Sequence, residues 1–363
     1  MSSGQDFKPA GIHDIANALG VSIGTVDRAL HNRPGISPKT RDRVLKTAAK
    51  LGYKPNTAAR NLKLNRRLHF GIFLPKEVSF FFDTLRDGIR AAAEHAGENV
   101  RLEFHSYPRL GEGDVEAIKA ADWKRFDGLI LAPAEAERMS EITRPAAQSG
   151  KPVIFVATDS SRLTRTASIA ADSLVSGDIA AELLGHFVRE PGAVALFTGS
   201  LKVEDHAEKL RGFAGTLATL SSHLTLLPVI ETHESEEKAF KSAMNLLQTQ
   251  KSLRGIYINT ANSLPVLRAL REAGTGRNIR VIATDLFPEL ASLIDNGQVS
   301  ASLYQRPFTQ GRLAFEALRQ SLDGREPPAT VTRLAPHIVL RSNLSLFTNT
   351  LERDETLDAS NTA

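Results

Sequence analysis

The stretch Ile12-His-Asp-Ile-Ala-Asn-Ala-Leu-Gly-Val-Ser22, continued by Ile23-Gly-Thr-Val-Asp-Arg-Ala-Leu30, decides how this chain is read. Ile12, Ile15, Ala16 and Leu19 repeat at helical spacing and end at Gly20, a residue suited to a tight turn. Ser22 can cap a second helix through Val26, Ala29 and Leu30, which stops before Asn32-Arg33-Pro34-Gly35. Ser37 or Thr40 then opens a third helix, with Val44, Leu45, Ala48 and Leu51 on one face and Gly52 closing it. Two short helices around a glycine turn, braced by a third, predict a helix-turn-helix unit. Its second helix would lie in the major groove with its early residues at base edges. Ile23 and Gly24 leave the front of that helix free of core demands, and Arg28 follows one turn on.

Charge agrees with this placement. The 363 residues carry 45 Lys/Arg and 41 Asp/Glu, a net of +4. Residues 1–67 hold 13 basic against 4 acidic groups, and the remainder 32 against 37. A +9 head on a −5 body means that the head meets a polyanion and the body does not. A helical protein-docking bundle, the alternative, has no need of that asymmetry. With 42% hydrophobic and 24% charged residues the chain is ordinarily globular. No apolar run reaches the ~18 residues of a membrane span. The start, Met1-Ser-Ser-Gly-Gln-Asp-Phe-Lys8, has no apolar signal stretch, so a cytoplasmic protein without membrane contact is expected. Zero cysteines exclude disulfides, thiolate metal sites and Cys nucleophiles.

Ile12 to Ser22, Gly24-Thr-Val-Asp-Arg-Ala-Leu30, Ser37-Pro-Lys-Thr-Arg-Asp-Arg-Val44 and Leu51-Gly-Tyr-Lys-Pro-Asn56 together resemble the lactose/galactose repressor family of bacterial transcription regulators. The match runs over about sixty residues almost without a gap. It implies DNA contacts from Ser22, Ile23, Gly24, Thr25, Asp27, Arg28 and Asn56. It also implies a hinge helix over about 57–64, too short to be stable alone. Such a helix folds when two copies pair over the minor groove, with Leu62 as the apolar wedge, Ala59 permitting close approach and Lys63 reading the groove. Two residues depart from the family pattern. Asp27 stands where Ser is usual, and His31 where Asn is usual. Asp27 can accept from a cytosine amino group or hold Arg28; His31 reads as a polar helix end.

After Arg67 the rhythm changes. Phe70–Leu74, Gly128–Ala132, Val153–Val156, Val194–Phe197, Gly255–Ile258 and Val281–Ala283 are short β-prone runs. Amphipathic stretches lie between them, among them Leu85–His95, Ile179–Val188, Ala239–Leu247 and Leu264–Ala273. This alternation predicts parallel sheets covered on both faces, and some 280 residues suit two α/β lobes with a cleft at strand carboxyl ends. Phe81-Phe-Asp-Thr-Leu-Arg-Asp-Gly88, Asp172, Lys209-Leu-Arg-Gly-Phe213, Asn259, Asp285 and Gln305-Arg-Pro307 resemble the family's effector domain. That domain is similar to the ribose-binding type of periplasmic binding protein. The expected fold is thus an N-terminal all-α helix-turn-helix domain, 1–65, on a bilobed, periplasmic-binding-protein-like α/β body, 66–348. Lobe 1 is expected over about 66–160 plus 300–330 and lobe 2 over 161–299 plus 331–348, followed by a disordered tail, 349–363.

A sugar offers C–H faces that stack on aromatics and hydroxyls that need paired donors and acceptors. Phe81 and Phe82 supply the stack with Ser79 nearby, Asp159 and Asp285 accept, and Asn259 and Gln305 do both. Lys209 replaces the family's usual Arg, turning a bidentate fork into a single mobile charge. His206 and Arg165 complete the expected ligand set. Trp123 reads as core or rim, and His233-Glu-Ser-Glu-Glu237 as an acidic first helical turn rather than a metal cluster. No phosphate loop, dinucleotide fingerprint or nucleophile elbow is present, and Gly274-Thr-Gly276 lacks the third glycine. The reading is therefore a ligand-responsive homodimeric regulator, without enzyme activity, cofactor or metal. It binds a near-palindromic operator in double-stranded DNA and senses a small sugar or polyol. A solute-binding protein and a sugar-modifying α/β enzyme are the alternatives.

Overall fold

The computed structural model describes residues 11–30, 34–51, 53, 67–97, 99–274, 278–323 and 329–348. The expected hinge helix, His31 and the expected tail lie outside the described residues. The described chain forms two compact units that divide after Arg66.

The first unit contains α1 (Ile12–Leu19), α2 (Ile23–Leu30) and α3 (Pro38–Lys50). Gly20 ends α1 at φ 64°, and Ser22 Oγ accepts the Thr25 N–H at 3.2 Å to open α2. Ser37 caps α3 by accepting the Thr40 N–H at 3.2 Å, and Pro38 sits where a helix has no use for its missing N–H. Ile15, Ala16, Val26, Ala29, Val44 and Ala48 close a small core. Leu45 and Leu51, expected on the same face as Val44 and Ala48, are 44% and 38% exposed instead. Val44 and Ala48 stand four apart on the inner face, whereas Leu45 is turned ~100° away from Val44.

The second unit is the two-lobed α/β body. It begins β1 (Leu68–Pro75), α4 (Ser79–His95), β2 (Val100–Tyr107), α5 (Asp114–Ala120), β3 (Gly128–Leu131), α6 (Ala136–Gln148), β4 (Val153–Val156) and β5 (Ala167–Ala171). It continues α7 (Ser173–Phe187), β6 (Gly192–Thr198), α8 (Glu204–Leu220), β7 (Leu224–Leu226), β8 (Ile230–Glu231), α9 (Glu236–Thr249), β9 (Leu253–Ile258), α10 (Leu264–Glu272), β10 (Arg280–Thr284), α11 (Pro288–Asp295) and β11 (Ala301–Tyr304). It closes with α12 (Pro307–Leu322), β12 (Val331–Leu334), β13 (His337–Val339) and α13 (Leu344–Thr348).

One sheet has the order β12-β5-β4-β3-β1-β2, all parallel. The other runs β13-β11-β10-β9-β6-β7, with β8 on β6 and only β13 antiparallel. Each sheet is sandwiched between two apolar clusters, as parallel strands buried on both faces require. Trp123 belongs to a lobe 1 core cluster.

The chain crosses between lobes three times, and later than expected. β5 and β12 pair with each other in the first sheet, and β11 belongs to the second. Lobe 1 therefore comprises 67–171, 307–322 and 331–334, and lobe 2 comprises 173–304 and 337–348. This corrects the expected exchange points at 160, 299 and 330. Strand partners are chosen by long-range pairing, which local sequence does not carry.

Each lobe carries one pair of helices packed backbone to backbone through reciprocal glycines. A Cβ on Gly88 of α4 would lie 2.0 Å from the Phe308 carbonyl oxygen of α12, and one on Gly311 of α12 2.1 Å from that of Leu85. In lobe 2 a Cβ on Gly177 of α7 would lie 2.1 Å from the Lys209 carbonyl oxygen of α8. One on Gly212 of α8 would lie 2.2 Å from that of Leu174. The glycines in Asp87-Gly88 and Arg211-Gly212 are thus needed for close helix approach.

Candidate functional site

On the first unit, Ser22, Ile23, Gly24 and Arg28 are exposed along one side of α2, while Val26 and Ala29 face the core. Thr25 and Asp27 are half-buried. Asp27 lies beside Tyr53, whose hydroxyl is pushed up by burial and by the Asp27 charge. Asn56, Ala59, Leu62 and Lys63 lie outside the described residues.

In the body, the carboxyl ends of the strands from both lobes face a cleft of about 550 Å³. Seven of the ten expected ligand residues line it: Phe81, Phe82, His206, Lys209, Asn259, Asp285 and Gln305. Their placement follows from chain order. Phe81 and Phe82 come from the first turn of α4, His206 and Lys209 from the first turns of α8. Asn259, Asp285 and Gln305 follow β9, β10 and β11 directly, where a parallel strand delivers its next residue to the ligand side.

Lys209 is the centre of the polar floor. Its Nζ donates to Asp205 Oδ2 at 2.8 Å, Gln305 Oε1 at 2.9 Å and the Asn259 carbonyl at 3.4 Å, and the residue is 2% exposed. Three acceptors use all three of its donors. Burial opposes ionisation of Asp205, but the Lys209 ammonium outweighs it and holds the carboxyl below its usual range. Asp285 accepts the Gln305 backbone N–H at 3.2 Å and its Nε2 at 2.8 Å; burial still pushes the Asp285 carboxyl up to about 6. Burial holds His206 down at about 4, a neutral imidazole whose Nδ1 is engaged by Ser200. Asn259 is fully buried and donates to the His206 carbonyl at 3.3 Å, while its Oδ1 has no donor among the described residues.

Three expected ligand residues do not line this cleft. Ser79 is exposed at the start of α4. Asp159 and Arg165 pair with each other at 2.7 Å, and Asp159 Oδ2 also takes Ser168 at 2.9 Å and Arg333 of β12 at 3.1 Å. This cluster fastens the β4–β5 loop to β5 and to β12, beside the crossings. An acidic residue already held by two guanidiniums is a brace, and its partner Arg333 lies 174 residues away, beyond the reach of any local pattern.

The aromatic expectation is also revised. Phe81 and Phe82 pack edge to face at 4.9 Å inside the lobe 1 core while bordering the cleft. The ring that spans the lobes is Phe80, stacked 3.9 Å from Phe287.

Glu77, Arg109 and Glu234 were not expected at the site. Arg109 pairs with Glu77 at 2.9 Å and donates across the cleft to the His233 carbonyl at 3.4 Å. Glu234 lies before α9 rather than in its acidic first turn, which Ser235 caps and Glu236 and Glu237 form. Burial pushes its carboxyl up to about 7. Val78, Ala157, His233, Glu234, Asp285 and Arg306 all have φ between 53° and 69°, so non-glycine left-handed backbone gathers around the ligand side of the strands. Such conformations cost about 1–3 kcal/mol each and persist where surroundings impose them. No group of metal-ligating side chains is present among the described residues, and no described helix is long and apolar enough to cross a membrane.

A strand-end cleft between two parallel-sheet lobes, on a chain that also carries a basic helix-turn-helix unit, defines a ligand-responsive DNA-binding regulator. Comparison with known proteins makes the assignment specific. Residues 70–326 match the periplasmic binding protein domain, and residues 11–56 match the bacterial regulatory proteins of the lacI family. The chain belongs to the lacI family of transcriptional regulators. It is 22% identical to catabolite control protein A of Priestia megaterium, over 92% of this chain and 98% of that protein. It is 27% identical to the ribose operon repressor of Bacillus subtilis, over 85% and 95% respectively. The body has the fold of an Agrobacterium vitis solute-binding protein bound with alpha-D-tagatopyranose (TM-score 0.71, 20% identity, 77% of this chain and 96% of that one). A Burkholderia graminis solute-binding protein in complex with D-arabinose is equally similar (TM-score 0.71, 23% identity, 77% and 97%).

Proposed function

We propose that the protein is a cytoplasmic, homodimeric repressor without enzyme activity, whose effector is a small carbohydrate or polyol. The observation that carries the effector reading is the polar floor made by Lys209, Asn259, Asp285 and Gln305 under Phe81 and Phe82. Buried acceptors and donors set beside aromatic edges suit a ring with hydroxyls on its rim and C–H groups on its faces. The sugars held by the similarly folded solute-binding proteins support the same class. In this reading Ser22, Ile23, Gly24, Thr25, Asp27 and Arg28 meet a near-palindromic operator, with Asn56 following. The 57–64 segment pairs with its copy over the minor groove through Ala59, Leu62 and Lys63. Effector binding changes the lobes and so favours or disfavours that pairing, a linkage between two sites.

Calorimetric titration of wild type and Asp285→Ala with a carbohydrate and polyol panel tests the assignment. A sugar that binds the wild type, alters operator affinity and loses about tenfold or more in the variant supports it. A sugar that binds both proteins equally refutes the cleft as its site.

A further inference from the structure

We propose that the effector is a polyol bearing a protonated amine, an amino sugar or amino sugar alcohol, and that Glu234 is the counter-ion for that amine. The proposal rests on the carbohydrate reading above and narrows it.

The charge inventory of the cleft points this way. Its two cations are committed: Lys209 to Asp205, Gln305 and the Asn259 carbonyl, Arg109 to Glu77 and the His233 carbonyl. Two carboxyls have no basic partner within ion-pair distance among the described residues, Glu234 and Asp285. Gln305 satisfies both oxygens of Asp285. Glu234 receives one hydrogen bond, from Thr260 to Oε2 at 3.3 Å, which leaves Oε1 without a donor among the described residues. The Glu77 Oε2 and Asn259 Oδ1 atoms are buried and also have no donor among the described residues. Against these three acceptors stands one buried donor without a hydrogen bond among the described residues, Arg109 Nε, which lies 3.3 Å from Glu112 Oε2 in an ion pair. The unmet capacity of the cleft is weighted to acceptors, and an anionic ligand would meet only cations already paired with carboxylates.

The backbone holds Glu234 at this place. His233 and Glu234 are consecutive residues at φ 53° and 56°, which sets the carboxylate in the cleft instead of at the α9 N-terminus. A Cβ on Gly199 would lie 2.1 Å from Glu234 Oε1 and 2.6 Å from the His206 ring, so the site is cleared for that side chain. A solvated surface glutamate would need none of this. A half-buried carboxylate without a cation is disfavoured by its partial desolvation, and the like charge of Glu77 adds to the penalty. A hydroxyl offers one hydrogen and no charge. An ammonium offers three and turns the unpaired carboxylate into an ion pair.

The test is a matched-pair titration of the full-length protein at pH 7.5. Glucosamine is compared with glucose, galactosamine with galactose, mannosamine with mannose, and 1-amino-1-deoxysorbitol with sorbitol. Glucuronate is the anionic control. The expected result is an amine that binds at least about tenfold tighter than its neutral partner, a ratio that Glu234→Gln narrows to about threefold or less, and no binding of glucuronate. Neutral members that bind as tightly as the amines in every pair overturn the amine assignment and leave the carbohydrate reading standing. An unchanged ratio in Glu234→Gln overturns the role of Glu234. Absence of binding by every member overturns both. Should Glu234→Gln fail to fold, the wild-type ratios alone decide.

Discussion

Two glycines one turn apart on α8 should respond in opposite directions to the same substitution. Gly215 is exposed, with nothing within 4 Å of an added Cβ. Alanine there gains only helix propensity, about 0.8–1 kcal/mol. Gly212 is buried, and its Cβ would stand 2.2 Å from the Leu174 carbonyl oxygen and 3.1 Å from the Asp178 nitrogen. Restoring ordinary van der Waals contact to that oxygen requires α7 and α8 to separate by about 1 Å. Overpacking of this kind costs about 1–3 kcal/mol and can exceed that where rigid backbone must move. It outweighs the same propensity gain.

The functional consequence follows from what α8 carries. Lys209 holds Asp205 and Gln305 at 2.8 and 2.9 Å, so a 1 Å displacement of the helix takes the Gln305 bond outside hydrogen-bonding range. Gly215→Ala should raise the melting temperature and leave effector affinity alone. Gly212→Ala should lower both, with the two variants about 2–12 °C apart, the overpacking cost of about 1–3 kcal/mol read at about 2–4 °C per kcal/mol. Differential scanning fluorimetry with and without ligand reads both effects. Equal stabilisation by the two alanines would refute the backbone-contact account of the α7–α8 pair.

Further outcomes follow from particular groups. Glu234, with a folded pKa of about 7 against an ordinary 4.5, binds more protons folded than unfolded between those values, so its contribution to stability is lost as pH rises through that window. Glu234→Gln should therefore gain on wild type between pH 5 and 7.5 in parallel melting curves; a constant difference would contradict its burial. His206, neutral and held down at about 4, loses stability in the other direction as pH falls below its ordinary 6.5, and it is common to both proteins. Asp159→Ala leaves Arg165 and Arg333 facing each other without their carboxylate, an expected loss of about 3–5 kcal/mol in denaturant titration; a loss under 1 kcal/mol would remove its role as a brace. Arg28→Ala should weaken operator binding and flatten its salt dependence in mobility-shift titrations, whereas unchanged affinity would take Arg28 off the DNA-reading face.

The parts legible in the sequence are those fixed locally. Strands such as Val153–Val156 announce themselves by unbroken apolar, β-branched residues, and α1 and α2 by their caps and spacing. β5 is Ala-Ser-Ile-Ala-Ala and β11 is Ala-Ser-Leu-Tyr, too poor in β-branched residues to stand out, and β2 carries polar residues through an edge strand. Asn259, Asp285 and Gln305 are legible through the resemblance to the family's effector domain; that each directly follows a strand emerges only from the fold, since β11 does not announce itself. Arg109 and Glu234 come from loops whose path depends on the other lobe. Glu234 was masked by an acidic helix start, and only its left-handed backbone separates it from Glu236 and Glu237. Asp159 misled for the converse reason: its partner Arg333 is 174 residues away.

The contacts that join the lobes set how much an effector must contribute. Phe80 on Phe287 is the one apolar contact made by opposed rings across the cleft among the described residues, and such a pair is worth about 0.5–1.5 kcal/mol beyond its burial. The others are polar and lie near solvent: Arg109 to the His233 carbonyl at 3.4 Å, Lys202 to Glu135 at 3.3 Å, and Ser161 to Glu204 at 3.2 Å. Exposed ion pairs contribute about 0–1 kcal/mol each. Together these amount to a few kcal/mol, comparable to the differential affinity with which one ligand shifts a two-state equilibrium. A ligand that joins lobe 1 groups at Phe81 and Glu77 to lobe 2 groups at Asn259 and Glu234 adds to the same side of that balance. Because Arg109 touches Glu77 and the residue before Glu234, anything that binds either carboxylate also acts on the contact that spans the lobes.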